Sequence, residues 1–402
     1  MSAEPDTAAV PVTVAGRLST YLRAGGIITP LITVLFAFIV GGLVVLATGG
    51  NPFETYKAIF EGTGLNWLFP WLSADDRVIA KLNLESTLLL TTPLILTGLA
   101  VAFAFRCGLF NIGGQGQYLV GTYFAVWVAS SFQDMPALPH ILLSMVAACL
   151  AGAAWGALAG LLKAVAGAHE VISTIMLNWV AVWTGMFLFG LGGPLQSDTD
   201  TSVPVSNDVA ESVKLPVFLG DPELQGVHIG LFVALAMLLV FWVLLNRTKT
   251  GFEVRAVGFN PEAARAAGIS VGRNYVLVMA VCGLFAGLAG SLDVLGWQFR
   301  VATNDIQISQ IGFLGIAVAL LGRNTAVGTL FAALFFGALV TGTSVRNLDP
   351  TVFEPALASN LTLIIQGLVI LMVSADILVV YLWRLRSRLR RREAAPPAEV
   401  VA

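Results

Sequence analysis

The chain has 402 residues, of which 57% are hydrophobic and 11% charged, and its mean hydropathy is +0.83. Because soluble domains carry about 25% charged residues, this composition excludes a soluble fold and predicts a polytopic membrane protein. The formal net charge is -2, and we expect no nucleic-acid partner. The three cysteines lie in or beside apolar runs without metal-ligand spacing, so the sequence predicts neither a disulfide framework nor a metal site.

The first quarter of the chain predicts two membrane spans separated by an outer loop. Residues 1–26 are polar and lack the apolar core and cleavage site of a signal peptide, so we expect a cytoplasmic N-terminal segment. Residues 27–48 predict a span, since about 20 apolar residues cross the hydrocarbon core. Residues 51–85 predict a folded outer loop with an interfacial helix at 53–61, and the second span follows at 86–105.

The stretch RCGLFNIGGQGQ, residues 106–117, is an unusual feature beside the second span. Its glycines weaken a regular helix, while Asn111, Gln115 and Gln117 place polar amides at or near membrane depth. Non-helical backbone is tolerated there only where protein or a wet cavity surrounds it, and polar side chains in spans tend to face a pathway. We therefore place these amides beside a translocation route. The alternative is a tight turn between two spans whose amides cap helix ends.

The next predicted spans lie at 119–130, which is short, and at 141–162. The second of these carries Gly152, Gly156 and Gly160 at four-residue spacing, which places three small residues on one face. Such a face permits close helix packing in a membrane.

A further span at 171–191 carries Asn178 and Trp183. An amide and an indole near the middle of a span are suited to binding a solute by hydrogen bonding and stacking. Interhelical hydrogen bonding and anchoring at the membrane interface remain the alternative for the two residues.

After a long acidic loop at 192–227, five more apolar runs complete the predicted spans: 229–245, 275–292, 309–321, 326–341 and 361–383. Two of them are short and meet at Gly322, Arg323 and Asn324, an interruption that echoes the short span near residue 119. Corresponding interruptions in two halves of a chain point to a transport site. The sequence therefore predicts an all-α fold of about ten transmembrane helices, some of them broken or short.

The distribution of basic residues supports ten spans with both termini in the cytoplasm. Of the 22 Lys and Arg residues, this arrangement places only six outside: Lys57, Arg77, Lys81, Lys214, Arg300 and Arg346. The predicted domains are then the N-terminal segment, a transmembrane domain at 27–383 and a basic cytoplasmic tail at 384–402. The tail is compatible with anionic-lipid binding as well as with fixing the topology.

The polar stretch at 246–274 lies between two strongly apolar runs and predicts a cytoplasmic loop with one short helix, PEAARAA. Asn260 suits the N-cap, Pro261 the first helical position, and Gly268 a left-handed end. So short a helix is marginal in isolation, so we expect it to need a partner surface. An ordinary solvated loop with one helical turn is the alternative.

Catalytic motifs are absent from the sequence, which has no GxxxxGK[ST], HExxH or GxSxG and no pair of histidine ligands. We expect neither an enzymatic activity nor a cofactor. A chain of this kind that moves solute uphill must draw energy from an ion gradient or from a separate ATPase subunit. Asp376, the one carboxylate that we place well inside an apolar run, is a candidate for proton coupling, although it also suits the cytoplasmic interface.

Four stretches, FNIGGQGQYLVGTYFA, EVISTIMLNWVAVW, VRAVGFNPEAARAAGISV and GIAVALLGRNTAVGTLFAALFFGALV, resemble the permeases of ATP-binding cassette (ABC) importers. The resemblance is to the branched-chain amino acid, simple sugar and nucleoside permease family, most of all its nucleoside and simple-sugar branch. It implies a multi-pass protein of the plasma (inner) membrane. It also implies separate ATPase subunits, a second permease subunit that is a different chain, and an extracytoplasmic solute-binding protein.

The resemblance also implies roles for individual residues. Residues 260–268 become the coupling helix, seated in a cleft of the ATPase. Glu262 and Arg265 then contact the ATPase, while Arg255 and Asn260 hold the shape of the loop. The amides implied to line the route are Asn111, Gln115, Gln117 and Asn178.

We therefore expect a permease subunit that lets a nucleoside or simple sugar cross by alternating access, driven by separate ATPases. Three alternatives remain at this point. The chain is a proton-coupled secondary transporter that uses Asp376, an ABC permease for branched-chain amino acids, or a membrane scaffold or receptor that transports nothing.

Overall fold

The computed structural model describes residues 28–47, 49–221 and 226–344, with a few helical positions between 360 and 371. The helices are α1 Ile28–Ala47, α2 Pro52–Gly62, α3 Ala74–Arg106, α4 Gly114–Ser131, α5 Ala137–Ala166, α6 Glu170–Phe189, α7 Gly230–Arg247, α8 Lys249–Phe259, α9 Pro261–Ala266, α10 Val271–Asp293, α11 Thr303–Ile308, α12 Ile311–Leu321 and α13 Ala326–Gly342. The predicted all-α fold is confirmed. The N-terminal segment, Asp376 and the arginine tail lie outside the described residues.

Six helical stretches within the described ranges are long and apolar enough to cross a membrane: Ala74–Arg106, Ala137–Ala166, Glu170–Phe189, Gly230–Arg247, Val271–Gln298 and Thr303–Leu321. Two shorter apolar helices, Val34–Ala47 and Ala326–Gly342, accompany them. The chain is thus a multi-pass membrane protein. The described part of the chain does not establish the predicted count of ten spans, because most of the last one, 361–383, lies outside it.

Helix α3 begins twelve residues before the predicted span at 86–105, so the end of the predicted outer loop is helical. The Ser73 hydroxyl oxygen caps this helix by accepting from the Asp76 N–H at 3.2 Å. Asp75 and Asp76 in the first turn also favour the positive end of the helix dipole. Polar capping residues therefore extend the apolar helix beyond its membrane-spanning part.

Helices α3, α4 and α10 form the centre of the bundle, and the outer helices pack on them, α5 on α10, α6 on α4 and α7 on α3. From Thr91 to Ala104 every residue of α3 is buried. The outer helices instead expose large apolar side chains, including Leu150, Phe187 and Leu239, each more than 60% exposed. An apolar outer face of this kind is suited to lipid and not to water.

Helices α5 and α10 approach each other through small residues. A Cβ at Gly283 would collide with the carbonyl oxygen of Gly152, and one at Gly156 would collide with that of Met279. Gly160 lies in the same way against Tyr275. The close packing predicted from the four-residue glycine spacing is confirmed, and van der Waals contact between backbones holds this pair together.

Residues 192–221 cross one end of the bundle without a long helix. A short strand β1, Val217–Leu219, pairs with β2, Val227–His228. The backbone N–H of Leu215 donates to the carbonyl of Leu295 at 2.8 Å, which joins this stretch to the end of α10.

Candidate functional site

Helices α11 and α12 are separated by a short break at residues 309 and 310, and a side-chain amide holds this break in place. Gln115, in the first turn of α4, donates from Nε2 to the Ser309 carbonyl at 2.9 Å. Its Oε1 accepts from the Gly312 N–H at 2.8 Å. Both backbone groups lie at helix ends, where intrahelical partners are missing. Gln115 therefore satisfies two otherwise orphaned backbone groups and joins α4 to the break.

Asn178 of α6 does the same for the start of α4. Its Oδ1 accepts from the Gly116 N–H at 2.8 Å, and its Nδ2 donates to the Ile112 carbonyl at 2.9 Å. Asn111 and Gln117 form a reciprocal pair of amide hydrogen bonds at 3.0 and 3.2 Å. The irregular connection 107–113 is thus held inside the protein by side-chain amides.

The four predicted amides come together in space, but they are bonded to the protein itself. None is more than 4% exposed. This geometry agrees with the alternative of a turn with capping amides, and a solute would reach them only after these bonds open. Their place beside the route stays a prediction. The structure does not bring Trp183 into this cluster, because its side chain is 63% exposed on α6.

A buried carboxylate lies at the end of α10. Asp293 is 1% exposed, and its Oδ2 accepts from the Tyr118 hydroxyl at 2.6 Å. Its Oδ1 accepts from the Trp297 indole N–H at 3.2 Å. The chain continues as one π-helical turn, Val294–Gln298, and ends at Phe299 with a left-handed φ of 58°. Such turns and left-handed non-glycine residues concentrate at functional sites.

This carboxylate is not predicted from the sequence, because the predicted span ends at Leu292. The prediction that Asp376 is the one carboxylate well inside an apolar run is wrong, because the helical span continues to Gln298 and includes Asp293. The signal was the run LDVLGWQ, in which a Trp follows an Asp by four residues and comes to lie over it on one helix face.

The π-helical turn forms one wall of a cavity of about 370 Å³, which is open to the surface of the protein. Its lining comes from α3, the π-helical turn, and both sides of the α11–α12 break: Leu90, Trp297, Gln298, Arg300, Asp305, Ile308, Ser309 and Ile311. This volume falls in the range of roughly 300–1,000 Å³ typical of small-molecule sites. Among the described residues, the buried Ser309 hydroxyl has no hydrogen-bond partner. The carbonyl of the same residue is held by Gln115, so the cavity adjoins the α11–α12 break.

The predicted short helix is confirmed as α9. The Asn260 Oδ1 accepts from the N–H groups of Glu262 and Ala263 at 2.9 and 3.1 Å. Pro261 occupies the first helical position, and Gly268 ends the turn with a left-handed φ of 82°. Local capping chemistry therefore determines this helix, as the sequence indicates.

The preceding residues form a second helix, α8, where the sequence predicts only a loop. Arg255 lies on it and donates from Nε to the Gly251 carbonyl at 3.2 Å, so it braces its own helix. Glu262 and Arg265 are both exposed on α9. All six residues predicted for ATPase coupling thus belong to one pair of helices and the turn that closes it.

Two exposed aromatic residues accompany this pair and were not predicted. Phe259 is 92% exposed and Phe252 is 59% exposed. Both line an open groove of about 500 Å³ between α8 and α9, together with Glu253, Asn260 and Ile269. Exposed apolar side chains that lie together in one groove, with a polar rim, mark an interaction surface. The signal was a pair of Phe residues seven positions apart in an otherwise polar stretch.

Helix α8 also contacts the end of the central helix. A Cβ at Gly258 would collide with the carbonyl oxygen of Arg106. The Arg106 guanidinium in turn donates from Nε and Nη2 to the Asn324 carbonyl at 3.0 and 2.7 Å. Rigid contacts therefore connect the α8–α9 pair to α3 and to the turn between α12 and α13.

Comparisons with known proteins agree with this arrangement. The chain is 37% identical over 354 residues to the guanosine ABC transporter permease protein of Bacillus subtilis, covering 88% of this chain and 94% of the relative. It is 36% identical over 320 residues to the nucleoside ABC transporter permease protein of Lactococcus lactis, covering 79% and 83%. It is also 37% identical over 352 residues to the glucose ABC transporter permease protein of Haloferax volcanii, covering 85% and 86%.

The family comparison covers most of the same region. Residues 83–374 match the model described as branched-chain amino acid transport system / permease component. This range contains the cavity, the α8–α9 pair and the two irregular segments that amide side chains hold, which are the connection 107–113 and the α11–α12 break. We call these two segments the amide-fastened breaks. The chain therefore belongs to this family of permease components of ABC transport systems.

Proposed function

We propose that this chain forms part of the translocation pathway of an ABC importer for a nucleoside, with a simple sugar as the second candidate solute. Relatives named for guanosine and nucleoside transport support the first, and a relative named for glucose supports the second. The chain works with ATPase subunits, a second permease subunit of different sequence and an extracytoplasmic solute-binding protein. Both of its termini lie in the cytoplasm, on the side of α8 and α9.

The exposed aromatic groove of the α8–α9 pair carries this proposal. A capped helix that presents Phe259 at 92% exposure beside Glu262 and Arg265 has the composition of a docking surface, with an apolar centre and a charged rim. In this proposal the ATPase covers it.

The contacts of Gly258, Arg106 and Asn324 supply the mechanical link. Movement of α8 and α9 with the ATPases is passed to the end of α3, to the connection 107–113 and to the α12–α13 turn. The amide-fastened breaks then act as joints between rigid helices. This is alternating access by rigid-body movement, driven by ATP and not by a titrating group of the permease.

A gradient-driven transporter is the other candidate, with Asp376 as its proton carrier. The complete transporter, purified with its ATPases and binding protein and placed in liposomes, distinguishes the two by uptake of radiolabelled guanosine. We expect uptake that requires ATP hydrolysis, survives a protonophore and persists in Asp376→Asn. Uptake that continues with a hydrolysis-deficient ATPase and stops with the protonophore would overturn the importer.

A further inference from the structure

We infer that the cavity between the π-helical turn and the α11–α12 break binds the base and sugar of a nucleoside, with the Trp297 indole as the stacking surface for the base. This inference rests on the proposed importer and selects between its two candidate solutes. It assigns a binding role to residues that the sequence analysis did not single out.

The orientation of the Trp297 indole is fixed by a hydrogen bond to a buried carboxylate. Its N–H donates to Asp293, and Asp293 is held on its other oxygen by Tyr118 of α4. The indole is only partly buried and lines the cavity. Because the indole is already held at its N–H edge while its ring faces the cavity, it loses little conformational entropy when a base stacks on it. This favours binding. Asp293 is thus a positioning residue, since it acts through Trp297.

The cavity wall is divided by chemistry. Aliphatic side chains line one part, from Leu90, Ile308 and Ile311, while polar and charged groups line the other, from Gln298, Arg300 and Asp305. A nucleoside divides in the same way, into a flat base and a ribose with hydroxyl groups. A hexose also has a C–H face that can stack on an indole, so the wall by itself accepts either solute. The relatives named for guanosine and nucleoside transport favour the nucleoside, and competition between guanosine and glucose decides between the two.

Ser309 lines the cavity, but its hydroxyl is buried and has no hydrogen-bond partner among the described residues. A solute would reach this hydroxyl only after the wall moves. Because Gln115 holds the Ser309 carbonyl, opening of that joint would change the same wall of the cavity and release the solute.

The test compares two tryptophan substitutions in the complete transporter. We expect Trp297→Leu to raise the KM for guanosine uptake by roughly 5- to 150-fold, the range expected for one lost base stack, with a smaller change in the maximal rate. Trp127→Leu is the matched control, because that indole is 49% exposed on α4 and does not line the cavity. An equal KM in the two variants would overturn the inference.

The positioning role is tested by two substitutions of Asp293. Asp293→Asn keeps an acceptor for the indole N–H and should keep a KM close to that of the unmodified chain. Asp293→Ala leaves the indole without its anchor and should raise the KM toward that of Trp297→Leu. A raised KM in both variants, or in neither, contradicts positioning through this hydrogen bond.

Photolabelling with 8-azidoadenosine gives a readout that does not depend on transport. We expect the label on peptides that contain Trp297 or Ser309, with guanosine competing and glucose not competing. Labelling elsewhere, or competition by glucose, would contradict the nucleoside site while ATP-driven uptake still supported the importer. Absence of ATP-driven uptake would instead count against the importer itself.

Discussion

Single amide side chains hold this fold together where its helices end. Gln115 supplies one donor and one acceptor to two backbone groups that belong to different helices. Asn178 does so at the start of α4. In a membrane protein no water is at hand to replace such bonds, so these residues stabilise the irregular segments that a transport pathway needs.

Substitution of Gln115 should therefore affect stability as well as transport. Gln115→Ala leaves the Ser309 carbonyl and the Gly312 N–H unpaired, at a cost of about 1–3 kcal/mol for each buried group. We expect a lower melting temperature in detergent and impaired uptake. The control is Gln133→Ala, because that side chain is exposed and its amide bonds, within the described part of the chain, only to the nearby Ser130 carbonyl. An unchanged melting temperature of the Gln115 variant would show that these two hydrogen bonds do not stabilise the protein.

His228 predicts a pH dependence at the residue scale. It lies on β2, outside the spans, and burial lowers the pKa of its imidazole to about 4. In the unfolded chain the pKa of this imidazole is near 6.5, so the unfolded state binds a proton at a higher pH than the folded state does. The contribution of His228 to the free energy of unfolding is therefore fully present above about pH 6.5. It is lost between about pH 6.5 and 4, which lowers the free energy of unfolding by at most about 3 kcal/mol.

Melting curves of the purified chain at several pH values check this expectation. His228→Asn keeps an acceptor for the Gly230 N–H, which the imidazole Nδ1 now accepts at 3.1 Å, and removes the titrating group. We expect a flatter stability profile in this variant. His169→Asn is the control, because that side chain is 66% exposed. A profile that is the same in all three proteins would assign the acid sensitivity to other groups.

At the scale of elements, the α8–α9 pair behaves as a separate unit built for contact. Its backbone is determined by local capping, while its buried residues, among them Val254, Val257 and Ala264, attach it to the bundle. Its exposed side carries Phe252, Phe259, Glu262 and Arg265.

Docking should therefore depend on the exposed aromatic residue. We expect Phe259→Ser to weaken co-purification of the ATPase and to reduce ATP-dependent uptake at least tenfold, because a covered Phe contributes about 1.5–3 kcal/mol. Arg265→Glu should act in the same direction. Phe53→Ser is the matched control, since Phe53 is 85% exposed on α2 and lies outside the groove. Normal ATPase binding by the Phe259 variant would exclude this surface as the dock.

At the scale of the whole molecule, backbone-to-backbone packing of α5 on α10 sets the shape of the bundle. Lipid tails are as apolar as the helices, so hydrophobic burial alone does not drive their association. Small residues supply the close contact instead. The core therefore depends on glycines that carry no function of their own.

Two glycines of α10 test this dependence with the same substitution. Gly283→Ala would place a methyl group against the carbonyl of Gly152 and should destabilise the bundle by about 1–3 kcal/mol, seen as lower yield and melting temperature. Gly272→Ala meets only the Ala164 side chain at 3.5 Å, an ordinary contact, and should be tolerated. Equal stability of the two variants would contradict the packing argument.

The sequence by itself determined what depends on composition and on local chemistry. Its apolar runs predict a polytopic helical bundle, its spaced glycines predict the contact of α5 with α10, and Asn260, Pro261 and Gly268 predict α9. Each of these features is decided within a few turns of one helix, or by the difference between lipid and water, so the pattern along the chain contains the information.

Tertiary structure alone decided which distant groups meet. The sequence placed Gln115 at membrane depth but could not show that Ser309 and Gly312 lie 194 and 197 residues away at its two ends. It likewise gave no sign that Tyr118 reaches Asp293, or that Trp297 and Ser309 share a cavity. These partners are chosen by the packing of whole helices, which depends on side chains far apart in the chain, and so the candidate site became visible only in three dimensions.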